Sequence, residues 1–115
     1  MGLDSDRSRR VRVLVADDNP NVRRALALIF HGEPGIDLVG MAADGLEAHT
    51  SAIALRPDVV VMDLSMPRVD GVQATRSVVA SLPDTRVVVL TASTDRALLD
   101  RARDAGAAST CGGGS

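Results

Sequence analysis

The chain has 115 residues, 45% of them hydrophobic and 24% charged, with a formal net charge of −2. These figures describe one folded domain and exclude a disordered chain or a sequence-wide basic surface for nucleic acid or membrane. Cys111 is the only cysteine, which excludes an internal disulfide and a multi-cysteine metal site. No apolar run approaches the roughly 18 residues of a membrane span, and Met1-Gly2-Leu3-Asp4-Ser5-Asp6 is too polar for a signal peptide. A cytoplasmic protein is expected. All 13 basic residues are arginine, and Phe30 is the only aromatic, so Val, Leu, Ile, Met and Ala must fill the core.

Residues 1–10 form a polar leader carrying Arg7, Arg9 and Arg10. Val11–Ala16 is the first strand-like run. Asn19-Pro20 then supplies an N-cap and a proline at the first helical position. Val22, Leu26 and Ile29 mark the inward face of that helix, and His31-Gly32 ends it. Ile36–Ala42 is the second strand. Asp44-Gly45 opens a second helix, with Leu46 and Ile53 expected inward, which stops before Pro57. Val59–Met62 is the third strand. A third helix starts after Gly71, turns Val72, Val79 and Leu82 inward, and stops at Pro83. Val87–Leu90 is the fourth strand. A fourth helix runs from about Thr94, with Leu98, Ala102 and Ala105 inward, to Gly106 as its C-cap. Ala107–Cys111 reads as a short fifth strand, after which Gly112-Gly113-Gly114-Ser115 has the composition of a linker and is expected to lie outside it. The third and fourth strands are solid apolar blocks, as suits a parallel sheet covered on both faces. Strands and helices alternating about every 25 residues predict an α/β, doubly wound parallel sheet.

Asp17 and Asp18 follow the first strand, and Asp63 follows the third. Taken singly, each reads as a turn or cap residue. In an open parallel sheet, however, ligands bind at the carboxyl ends of strands where the strand order reverses. If the first and third strands are neighbours, the three carboxylates converge there. Two unit charges roughly 5 Å apart repel by about 3 kcal/mol at an effective dielectric of about 20. Such a cluster calls for a bound cation or a proton. All-oxygen ligation favours a hard ion, and Mg²⁺ fits.

These residues carry a resemblance. Val13-Leu14-Val15-Ala16-Asp17-Asp18-Asn19-Pro20, Val60-Val61-Met62-Asp63-Leu64-Ser65-Met66-Pro67 with Asp70-Gly71, Leu90-Thr91-Ala92 and Ala105-Gly106-Ala107 resemble a response-regulator receiver domain from about residue 11 to 107, which places the domain itself at residues 11–111. The wording is most similar to receivers that precede a helix-turn-helix output. The resemblance implies a flavodoxin-like sheet of order 2-1-3-4-5 and Asp63 as the phosphoacceptor. It implies Asp18 as a direct Mg²⁺ ligand, Asp17 as a ligand through water, and Ser65 as a ligand through its backbone carbonyl. Thr91 becomes the switch hydroxyl, with Ala92 leaving room beside it. Met66-Pro67 and Asp70-Gly71 shape the loop that holds Asp63.

The implied function is phosphorelay signal transduction without enzymatic turnover. The partner is a sensor histidine kinase or a small phosphodonor, with no direct nucleic acid and no membrane. Three features depart from the family. The lysine that pairs with the phosphoryl group falls on Gly113, and the aromatic switch residue falls on Thr110. The family's final helix is missing after the short fifth strand, so the chain reads as a C-terminally truncated receiver. An apolar patch is then expected near strands one and five, covered by the leader or by a second copy in a homodimer or swapped dimer. A degenerate receiver acting as a phosphorylation-independent binding module, or a Mg²⁺-dependent phosphohydrolase, are the alternative functions.

Overall fold

The computed structural model describes residues 10–64, 66, 70–91 and 96–112, with the side chains of 91 and 109–112 outside the description. The leader at residues 1–9 therefore lies outside the described residues. Strands β1 (Val11–Ala16), β2 (Ile36–Ala42), β3 (Val59–Met62), β4 (Arg86–Thr91) and β5 (Ser109–Gly112) alternate with helices α1 (Pro20–His31), α2 (Gly45–Leu55), α3 (Gly71–Ser81) and α4 (Arg96–Asp104). The sheet is parallel throughout, in the expected order β2-β1-β3-β4-β5. No described helix is long and apolar enough to cross a membrane.

Short polar side chains start the helices where the sequence places them. Asn19 accepts from the amide of Asn21 at 2.9 Å, Asp44 from that of Glu47 at 2.8 Å, and Asp70 from that of Gln73 at 2.9 Å. Glu47 also reaches back to accept from the Ala43 amide at 2.6 Å, which closes the entry to α2 from both sides. The end of α4 is a glycine stop. Gly106 has φ +111°, its amide donates to Arg103, and the Ala107 amide donates to Ala102.

Right-handed crossovers place helices on opposite faces when the chain steps from β1 to β2 and then back across to β3. Accordingly α1 packs on β2 and β1 from one side, while α2, α3 and α4 contact one another in sequence on the other. Leu14, Ala16, Val60, Met62, Val87 and Val89 belong to the core on that second side, together with Ala48, Ala52, Val72, Val78 and Ala102 from its helices.

Several expected inward positions are corrected. Leu46 and Ile53 are 49% and 43% exposed, because α2 docks through Gly45, Ala48 and Ala52, whose small size lets it approach closely. Ile29 is 59% exposed and no residue of α1 is fully buried. Gly112 continues β5 instead of lying beyond it, pairing with Thr91; an edge strand asks only backbone groups of its last residue. The structure extends β4 by one residue at each end of the expected Val87–Leu90. Of the apolar patch expected near strands one and five, Val11 on β1 and Leu28 and Ile29 on α1 are exposed, while the side chains of β5 lie outside the described residues.

Candidate metal centre

β1 and β3 are neighbours in register, with Ala16 opposite Met62, so the next residues, Asp17 and Asp63, leave the sheet side by side. The Asp63 amide donates to the Ala16 carbonyl at 2.9 Å, and the Asp17 amide to the Ala42 carbonyl at 3.0 Å. Both carboxylates thus hang from backbone held by the ladder. Since β2 lies on one side of β1 and β3 on the other, this is the point where the strand order reverses.

Asp17 is buried, Asp63 half-buried and Asp18 exposed, and one carboxylate oxygen from each lies within 4.8 Å of the others. Asp17 uses Oδ1 to accept from the Asn19 amide at 2.9 Å, and its carbonyl accepts from Arg23 Nη1 at 2.7 Å. At this spacing a pair of carboxylates repels by about 3 kcal/mol for an effective dielectric of about 20. Three converging oxygen donors with no nitrogen or sulfur among them fit a small hard cation such as Mg²⁺, which takes one or two carboxylates and keeps other positions for water and phosphate.

The loop carrying Asp63 is moulded by Gly71. A Cβ there would stand 2.8 Å from the carbonyl carbon of Asp63 and press on the backbone of Leu64 as well. The Gly71 amide donates to the Leu64 carbonyl at 3.1 Å, and Thr75 Oγ1 donates to the Gly71 carbonyl at 2.7 Å. Helix α3 therefore begins directly against the strand end that supplies the central carboxylate.

Asp17, Asp18 and Asp63 come together as their strand-end positions imply. Thr91 closes β4 at the same end of the sheet, but its side chain lies outside the described residues, as do Ser65, Ala92 and Gly113, while of Thr110 only the strand position is described. Arg23 was not singled out by the sequence. Its link to Asp17 depends on the turn of α1 on which it falls, and an arginine in an amphipathic helix carries no other signal.

Residues 13–110 match the response regulator receiver domain family. The chain is 46% identical over 104 residues to the transcriptional regulatory protein PdtaR of Mycobacterium tuberculosis, covering 90% of this chain and 50% of that one. It is 45% identical over 101 residues to the protein-glutamate methylesterase/protein-glutamine glutaminase 6 of Anaeromyxobacter dehalogenans, covering 88% of this chain and 29% of that one. The chain thus spans half or less of the length of these relatives. Among solved structures, the response regulator domain of Thermotoga maritima CheB superimposes with a TM-score of 0.85 at 37% identity, covering 90% of this chain and 78% of that one. The CheX–CheY–BeF3–Mg²⁺ complex of Borrelia burgdorferi superimposes with a TM-score of 0.81 at 26% identity, covering 87% of this chain and 75% of that one.

Proposed function

Because the chain belongs to the response regulator receiver domain family, we propose that it accepts a phosphoryl group on Asp63 from a sensor histidine kinase or a small acyl-phosphate donor. The observation that carries this reading is the convergence of Asp17, Asp18 and Asp63 within 4.8 Å at the ends of β1 and β3. Asp18 and Asp63 are the direct ligands for Mg²⁺ in this reading, Asp17 acts through water, and the Ser65 carbonyl completes the set. The bound ion screens the charge of the incoming phosphoryl oxygens. An Asp63 carboxylate oxygen attacks phosphorus, and the bond to the donor's imidazole nitrogen or acyl oxygen breaks, its electron pair leaving with the donor. The new acyl phosphate places added charge and acceptor oxygens beside Thr91, whose hydroxyl then moves toward it. The similarity to a CheY held with BeF3 and Mg²⁺ supports both the ion and the acceptor role.

The chain acts as a switch module and not as a turnover enzyme in this reading. Its relatives pair such a domain with different activities, a methylesterase in one and transcriptional regulation in another, so the output is proposed to lie outside residues 13–110. The test is Mg²⁺ titration followed by a small acyl phosphate, read by intact mass and amide NMR. One phosphate per chain is expected, absent in Asp63→Asn. Metal binding with neither adduct nor response to beryllofluoride would instead identify a phosphorylation-independent binding module. Sustained release of phosphate would identify a phosphohydrolase.

A further inference from the structure

Among the described residues, Arg23 is a cation that reaches the backbone of the acidic site. Arg23, in the first turn of α1, donates from Nη1 to the carbonyl of Asp17 at 2.7 Å, and its side chain is half-buried. The bond is short and charge-assisted, which places it among the stronger polar contacts. Asp17 lies one residue beyond the last paired residue of β1, so this carbonyl belongs to the loop and not to the ladder. Asp17 is thereby held at three points: its amide by Ala42, its Oδ1 by Asn19 and its carbonyl by Arg23. The tether matters more here than it would on a well-packed helix, because no residue of α1 is fully buried.

We propose that Arg23 is a positioning residue of the acidic site: by tying α1 to the Asp17 carbonyl it keeps the Asp17–Asp18 loop at the distance from Asp63 that a divalent cation needs. The inference rests on the reading of the three carboxylates as a Mg²⁺ site. Without an ion, their mutual repulsion works against that spacing. The guanidinium tether opposes it, so less ordering is left to accompany metal binding. Its charge acts in the reverse direction, since a cation beside the site repels Mg²⁺. The sign of the effect on removing it therefore tells positioning from charge.

A second tether of the same kind provides the control. Arg12 Nη1 donates to the Arg56 carbonyl at 2.8 Å, at the opposite end of the sheet. Mg²⁺ titrations followed at the amides of Asp17, Asp18 and Asp63, together with metal-free thermal melts, would compare the whole chain with Arg23→Gln, Arg23→Lys and Arg12→Gln. Arg23→Gln is expected to weaken Mg²⁺ binding roughly tenfold, in the range seen for groups that orient metal ligands. Arg23→Lys, which keeps the charge without the planar fork, is expected to weaken it by about threefold. Arg12→Gln is expected to lower the melting temperature and leave Mg²⁺ affinity unchanged. Mg²⁺ binding by both Arg23 variants as tight as in the unsubstituted chain, or tighter, would overturn the inference. If Arg23→Gln does not fold, Arg23→Lys carries the same comparison. The unsubstituted protein adds a measurement of its own: hindered rotation of the Arg23 guanidinium in the metal-free state is expected, and free rotation would overturn the tether. Absence of saturable Mg²⁺ binding by the unsubstituted chain would remove the metal-site reading itself, and the inference with it.

Discussion

On the face covered by α2, α3 and α4, the row Leu14, Val60 and Val87 across β1, β3 and β4 is fully enclosed. One residue further along, the row Met41, Val15, Val61 and Val88 across β2, β1, β3 and β4 turns to the α1 side, and there only Val15 is fully enclosed. Met41 is 45% exposed, and Val61 and Val88 are half-buried. The residue types are nearly the same in the two rows, so composition is not what separates them. Among the described residues, three helices cover one face and a single helix lies over β1 and β2 on the other. The acidic site stands where β1, β3 and the start of α1 meet, so it draws its carboxylates from rigid strand ends and its loop from the looser side. That division suits a switch, whose moving parts come from the less stable regions of a fold.

The comparison is broken most directly by two leucines. Leu14 is fully buried on the closed face, and Leu14→Ala is expected to cost about 3 kcal/mol through lost transfer energy and the cavity left behind. Leu28 on α1 is 71% exposed, and Leu28→Ala is expected to change stability by less than about 0.5 kcal/mol. Urea unfolding midpoints measure both. A cost above about 1.5 kcal/mol for Leu28→Ala would show that something covers the α1 side in solution.

Gly71→Ala comes next, because it ties the closed face to the site. The added Cβ meets backbone atoms of Asp63 and Leu64, which cannot rotate aside as a side chain would. A loss of about 2 kcal/mol is expected, accompanied by weaker Mg²⁺ binding as the Asp63 loop is pushed from α3. Loss of stability with unchanged Mg²⁺ affinity would mean that the loop adjusts without moving the carboxylate.

What the sequence made legible follows the same division. The first three strands stand where their apolar runs stand, since a run of branched aliphatic residues bounded by turn residues leaves little choice of element. Asp17, Asp18 and Asp63 were legible because a strand end is a position that can be counted. Helix faces were less so. Large residues at helical spacing pointed to Leu46 and Ile53, yet α2 buries Gly45, Ala48 and Ala52, since on the closed face the space goes to close approach of backbones. Ile29 failed for the opposite reason, as among the described residues no second helix packs closely beside α1 to enclose it. The Arg23 tether was hidden because it needs the rotation of α1 relative to the end of β1, which periodicity does not supply.

A finer test holds chemistry and burial constant and varies only the face. Val60 and Val15 are both 0% exposed, Val60 toward α2–α4 and Val15 toward α1. Val60→Ala is expected to cost about 2.5 kcal/mol and Val15→Ala about 1.5 kcal/mol, because the loosely held α1 can settle into the space while three interlocked helices cannot. Equal costs, read from unfolding midpoints at matched slopes, would mean that the two sides are equally rigid despite their different cover.

The smallest effect tests whether the two sides open together. Arg56 ends α2 in the left-handed conformation, at φ 49° and ψ 61°, with its amide donating to Ala52 at 2.8 Å. A side chain in that region costs about 1 kcal/mol, which glycine avoids at some expense in unfolded-state entropy. The Arg56 guanidinium side chain is exposed, and the bond from Arg12 Nη1 goes to the backbone carbonyl, so Arg56→Gly keeps the contact that matters. A gain of about 0.5 kcal/mol is expected, with unchanged Mg²⁺ affinity because Arg56 lies at the far end of the sheet. Amide hydrogen exchange supplies the comparison: slower exchange in α2 and α3 is expected, with α1 amides unchanged because they open locally. Equal slowing in α1 would mean that both faces unfold as one unit, and that the looser packing on the α1 side has no independent motion to offer the acidic site.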